Sequence, residues 1–72
     1  MEFKDRFKEL RLKSQLTQAL LSDHLNVNDR TIRRYESGEI QPTAPAIIKI
    51  AKYFEVSVDY LLGLTDNPEI KR

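Results

Sequence analysis

The feature that most restricts this chain lies between Thr17 and Gly38, where two short periodic segments are separated by almost nothing. Ala19, Leu21, Ser22 and Leu25 would line the inner face of the first segment, and Thr31, Ile32 and Tyr35 that of the second. Thr17 reads as the N-cap of the first helix, its hydroxyl accepting from an unpaired first-turn N–H. Asn26 ends that helix, since asparagine tolerates the left-handed backbone a helix terminus often needs. Only Asn26 and Val27 then precede Asn28, the cap of the next helix. Two helices joined by so tight a turn cannot lie antiparallel, so they cross steeply. Ser22, a small residue in mid-helix, lets the second helix approach closely. The crossing leaves the N-terminal half of that second helix projecting.

The flanking sequence supplies three more helices. Phe3, Phe7 and Leu10 repeat at i, i+4, i+7 and predict an amphipathic helix ending near Lys13, where Ser14 and Gln15 break the pattern. Glu39 to Pro42 forms a loop after Gly38. Thr43 caps a fourth helix with Pro45 in its first turn, where a missing N–H costs little. Ile47, Ile50, Ala51 and Phe54 form its buried face, while Lys49 and Lys52 flank that face and read as solvated. Ser57 caps a short fifth helix that carries Val58, Leu61 and Leu62 and ends at Gly63. No strand alternation appears. The expectation is an all-α, compact five-helix domain over residues 1–63, with residues 64–72 as a frayed tail.

Composition explains what must hold such a domain together. A chain of 72 residues with no cysteine and one histidine, His24, has neither a disulfide nor a metal site to staple it. Apolar helix packing must suffice. No apolar run approaches the roughly 18 residues needed to cross a bilayer. The opening MEFKDRFKEL alternates acid and base, unlike a signal peptide, so the cytoplasm is the expected compartment. An enzyme is not expected: the carboxylates are scattered along solvent faces, and with only two glycines no glycine-rich loop could cradle a phosphate. No cofactor or metal is implied. The formal net charge of +1 says little about partners, because nucleic-acid binding depends on where the basic residues sit.

Those residues sit on the projecting helix. Its outward positions are Asp29, Arg30, Arg33 and Arg34, with the Thr31 hydroxyl near the same face. The projection suits the major groove of B-DNA, about 12 Å wide, and arginine can offer two parallel donors to guanine O6 and N7. Asp29 can accept from cytosine N4 or sit favourably at the positive end of the helix dipole. Gln18 opens the preceding helix, where free backbone N–H groups favour an anion. Gln18, Asn28, Arg33 and Ser37 are accordingly expected at phosphates, with Asp29, Arg30, Thr31 and Arg34 at bases. Phosphate contacts would set the register and base contacts the specificity.

The run LTQ (Leu16 to Gln18), Val27, Ile32, Tyr35 with Glu36, Gly38 and Pro42, continuing through IIKIAKYFEVSVDYLLG to Gly63, resembles the Cro and phage-repressor (XRE-type) helix-turn-helix family. The resemblance implies a lambda-repressor-like fold, with the motif at about residues 17–37 in helices 2 and 3. It implies a homodimeric repressor of palindromic operators, commonly in phage or mobile-element genes. It also places Gln18 on phosphate, turns Asp29, Arg30, Thr31 and Arg34 to base edges, and pairs Arg11 with Glu36 as a structural ion pair. Gln15, Asn26 and Glu55 replace customary glycines, Leu20 replaces a polar residue, and Asp29 is an unusual acidic opening to the recognition helix. The alternative is an antitoxin or accessory form of the same module, binding DNA together with a protein partner through Leu20 and the tail.

Overall fold

The computed structural model describes residues 1–70, which form five helices in the order α1 (Phe3–Lys13), α2 (Gln18–Leu25), α3 (Asp29–Ser37), α4 (Ala44–Phe54) and α5 (Val58–Leu61). Each starts where the sequence supplies a cap. Thr17 Oγ1 accepts from Leu20 N at 3.1 Å, Asn28 Oδ1 from Arg30 N at 2.8 Å and Ser57 Oγ from Tyr60 N at 3.0 Å. Thr43 Oγ1 accepts from Ala46 N at 3.4 Å, and the Glu2 backbone N–H donates to Asp5 Oδ2 at 3.4 Å. Such caps satisfy orphan donors of the first turn and are worth about 1 kcal/mol each.

The helix ends share one device. Leu16 N–H reaches Arg11 O, Val27 reaches Ser22, Glu39 reaches Arg34, Val56 reaches Ala51 and Leu64 reaches Asp59, at 2.8 to 3.2 Å. Each of these bonds spans a residue of positive φ, the arrangement of a Schellman motif. Glycine fills that position at Gly38 (φ 81°) and Gly63 (φ 79°), but Gln15 (58°), Asn26 (56°) and Glu55 (56°) fill the others. Gly63 has a second reason to be glycine: a Cβ there would lie 1.8 Å from the Met1 carbonyl oxygen.

The core sits between α1, α3 and the α4–α5 pair. Phe7, Leu21, Ile32 and Leu61 are fully buried, and Leu25 nearly so. Phe3 stacks on Phe7 at 5.3 Å between ring centroids, and Tyr35 meets both rings edge-on at about 6 Å. Phe54 closes the cluster against Phe7 from α4 at 6.4 Å. Edge-on and offset aromatic pairs add about 0.5–1.5 kcal/mol beyond the area they bury.

Several side chains lie elsewhere than the sequence pattern predicts, or stay exposed as expected but make contacts it does not announce. Ala19 and Val58 are exposed, because α2 and α5 present narrower inner faces than their apolar residues suggest. Lys49 donates its ammonium to the Leu25 carbonyl at the end of α2, where a cation complements the helix dipole. His24 pairs its Nδ1 with the Tyr53 hydroxyl at 2.6 Å, a second tie between α2 and α4. Arg6, in the opening run of alternating acid and base, is buried. Its guanidinium lies 3.7 Å over the Tyr60 ring, with Nε 3.0 Å from Met1 Sδ and Nη2 3.3 Å from Asp66 Oδ1. The segment after Gly63 carries no helix through Ile70, yet Asp66 and the bond from Ser57 N to Pro68 O (3.0 Å) tie it to the body. The last two residues of the expected frayed tail lie outside the described residues.

A left-handed backbone costs an L-residue about 1–2 kcal/mol, against which glycine adds about 0.4–1 kcal/mol of unfolded-state entropy. Gln15→Gly and Glu55→Gly should each stabilise the domain by up to about 1 kcal/mol in urea unfolding, and Asn26→Gly by less. Gly63→Ala should lower the midpoint instead, because it meets both the backbone penalty and the Met1 carbonyl. A loss of stability in Gln15→Gly would contradict this account of the helix ends.

Candidate nucleic-acid interface

The α3 helix crosses α2 after a turn of three residues, Asn26 to Asn28, and α2 and α1 are its principal supports. Ser22 is buried at the crossing, its hydroxyl returned to Ala19 O at 2.6 Å, so it offers α3 a small surface with no unpaired polar atom. Ile32 and Tyr35 anchor the inner side of α3 in the core. The opposite side therefore faces outward.

The aim of that outward side is fixed by one carboxylate. Glu36 accepts from Arg11 Nε at 2.6 Å and from Arg11 Nη2 at 3.0 Å, a two-pronged ion pair between α3 and α1. The side chains are 6% and 11% exposed, so the pair is screened little by water. Arg11 Nη1 donates to Leu16 O at 2.9 Å, and Gln18 Nε2 donates to Glu36 Oε1 at 3.2 Å. Three helices and the turn before α2 thus meet on a single ion pair.

The structure brings Arg30, Arg33, Arg34 and Ser37 onto one surface, in unequal states, while Gln18 is turned to Glu36. Arg30 is exposed and makes no ion pair among the described residues. Arg33 pairs with Asp29 one turn earlier (Nη1 to Oδ2, 3.1 Å), and Arg34 pairs with Glu39 beyond the helix end (Nε to Oε2, 3.0 Å). The three arginines, Ser37 and Glu39 surround an open concavity of about 300 Å³. Thr31 is half-buried at the side of this face. Asn28 spends its carbonyl oxygen on the α3 cap, which leaves its amide donors free. Ser37 donates its hydroxyl to Arg34 O and accepts from Glu39 N, so it is the most committed of the group. The place of Glu39 among these arginines was missed in the sequence. Its position next to Gly38, just past a helix end, resembles ordinary loop charge and gives no signal.

A helix-turn-helix family model matches residues 7–61, from within α1 to the end of α5. The chain belongs to this helix-turn-helix family. It is 36% identical over 63 residues to the cryptic phage CTXphi transcriptional repressor RstR of Vibrio cholerae, covering 88% of this chain and 56% of the repressor. It is 37% identical over 63 residues to the transcriptional activator BcrR of Enterococcus faecalis, covering 88% of this chain and 31% of the activator. The chain thus spans about half the length, or less, of these curated relatives. Among solved structures, the P22 c2 repressor in complex with a synthetic operator superposes with a TM-score of 0.80 at 27% identity, over 86% of this chain and 94% of the repressor chain. These helix-turn-helix relatives are regulators of transcription by name, none of them an enzyme. No helix among the described residues is long and apolar enough to cross a membrane.

Stranding one member of a buried ion pair costs about 3–5 kcal/mol, whereas an exposed pair is worth about 0–1 kcal/mol. A domain of this size has only about 4–11 kcal/mol of total stability. Glu36→Ala should therefore remove much of the urea-unfolding free energy, and Asp29→Ala should change it by less than about 1 kcal/mol. Equal effects of the two substitutions would show that the Arg11–Glu36 pair is not the anchor of α3.

Proposed function

We propose that this chain is a sequence-specific, double-stranded-DNA-binding transcriptional repressor that occupies its operator as a homodimer. The observation that carries the reading is the α3 surface, on which three arginines surround one concavity on a helix held by buried contacts at its back. The likeness to a repressor solved on operator DNA supports the same docking, with α3 in the major groove.

In this arrangement Arg30 and Arg34 offer parallel donors to guanine, Asp29 accepts from cytosine or orients Arg33, and Thr31 contacts the neighbouring base edge. Gln18 stands at the start of α2, where its second amide hydrogen and the exposed backbone N–H groups meet a phosphate. Asn28 does the same at the start of α3, Arg33 contacts the backbone once Asp29 has turned from it to a cytosine, and Ser37 contacts it further along. A second copy would pack against α5 and its neighbouring loops. There Ile48, Val58 and Ile70 are 48%, 36% and 45% exposed around an open groove of about 510 Å³. Two copies would place their recognition helices about 34 Å apart, one turn of DNA, on a palindromic site. Repression then follows from promoter occupancy and needs no catalysis. Leu20, 47% exposed on α2, stands apart from both surfaces and is where the alternative, a protein-partner form of the module, would be sought.

Selection from a random duplex pool, followed by titration of the winner and a scrambled duplex, tests the proposal. A palindrome bound at least about 10³-fold tighter than the scramble is the expected result. Arg30→Ala should then cost about 1–3 kcal/mol on the winner and relax preference at a single position. Salt-sensitive binding without any preferred sequence would contradict the proposal.

A further inference from the structure

We propose that Glu39 is a specificity-determining residue of the interface, one that reserves Arg34 for a base and withholds it from phosphates; this rests on the operator-binding reading above. The backbone places Glu39 for that role. Gly38, at φ 81°, turns the chain back on α3, and Glu39 N–H is held by Arg34 O at 3.0 Å and by Ser37 Oγ at 3.3 Å. A residue rooted in this way projects its carboxylate at a fixed origin beside the arginines. The carboxylate lies 3.0 Å from Arg34 Nε as an ion pair, and the two terminal nitrogens of Arg34, at the far edge of the guanidinium, are left without an ion-pair partner among the described residues. These two nitrogens form the end-on edge of the guanidinium, which can meet guanine O6 and N7 while Glu39 keeps the Nε side.

The consequence is electrostatic. A phosphate responds to net charge, and an Arg34–Glu39 pair carries none. Its neighbour Glu39 also repels the phosphate directly, being 61% exposed on the rim of the concavity. A guanine edge instead responds to donor geometry, which the pair restrains. Non-specific affinity depends on counterion release by unpaired cations, so pairing Arg34 lowers it while leaving directional base contacts in place. Glu39 is thus a positioning residue, acting on DNA through Arg34.

Glu39→Gln keeps the shape and removes the charge. In duplex titrations across salt, this variant should bind the scrambled sequence severalfold tighter at low salt, with a slope steeper by about 1. Discrimination at the base pair beneath Arg34 should fall about tenfold. Both changes should vanish when Glu39→Gln is added to Arg34→Gln, because Glu39 then has no arginine to act on. An unchanged specificity ratio and salt slope in E39Q would overturn the proposal. So would an equal gain on every sequence that persists in the Arg34→Gln background, since that is a long-range charge effect. If the unmodified protein selects no sequence at all, the operator reading and this inference fall together. If it selects one and E39Q discriminates equally well, the inference alone falls.

Discussion

The ion pair between Arg11 and Glu36 is the constraint on which the rest of the molecule depends. Its 2.6 Å and 3.0 Å bonds are nearly closed to water, so neither charge can be released without a large desolvation penalty on its partner. The helix α3 therefore cannot slide or rotate against α1 independently. Because Gln18 donates to the same carboxylate and Arg11 also holds Leu16 O, the start of α2 is fixed by the same pair. A motif of two short helices, each too short to be stable alone in water, thereby becomes a rigid projection. The exposed pairs on the outer face of α3 are of a different kind: worth little in stability, they leave Arg30 as the arginine of that face without an ion pair among the described residues.

Without disulfide or metal, the domain compensates with local chemistry at every helix boundary. Side chains cap four helices, a capping contact at Glu2 begins the first, and Schellman bonds close all five. Three of those closures sit on non-glycine residues in left-handed conformation, so part of the stability gained in the core offsets backbone strain at the ends. Arg6 adds a second tie, joining Met1, Tyr60 and Asp66 to α1. Its Nη1 has no hydrogen-bond partner among the described residues, a cost that the contact with the Tyr60 ring helps to offset.

Helix boundaries were legible because caps are local: Thr17, Asn28, Thr43 and Ser57 each act on a backbone N–H two or three residues away. The outward placement of the α3 arginines was legible for the same reason, since an amphipathic helix must turn Arg30, Arg33 and Arg34 outward once Ile32 and Tyr35 turn inward. The resemblance added the Arg11–Glu36 pair, which spacing alone could not supply across 25 residues. What stayed hidden depends on contacts distant in sequence or on how a turn redirects the chain. Arg6 lies in a run of alternating charges, and nothing near it announces a Tyr60 ring or Asp66. Lys49 resembles any solvated lysine until α2 is seen to end beside it. Glu39 becomes part of the arginine cluster only because Gly38 bends the chain back. Ala19 and Val58 are apolar by sequence and exposed by geometry, since the helices they lie on are short and bury few positions.

The central claim is that α3, held by Glu36 and Arg11, is the surface that meets DNA. Titration of a selected duplex into isotope-labelled protein, followed by amide chemical shifts, tests it most directly. Shifts concentrated at Thr17, Gln18 and residues 28–34, with the groove beside Ile48 and Ile70 changing only if a second copy docks there, are the predicted result. Shifts confined to that groove, with the amides of α3 unmoved, would contradict the account.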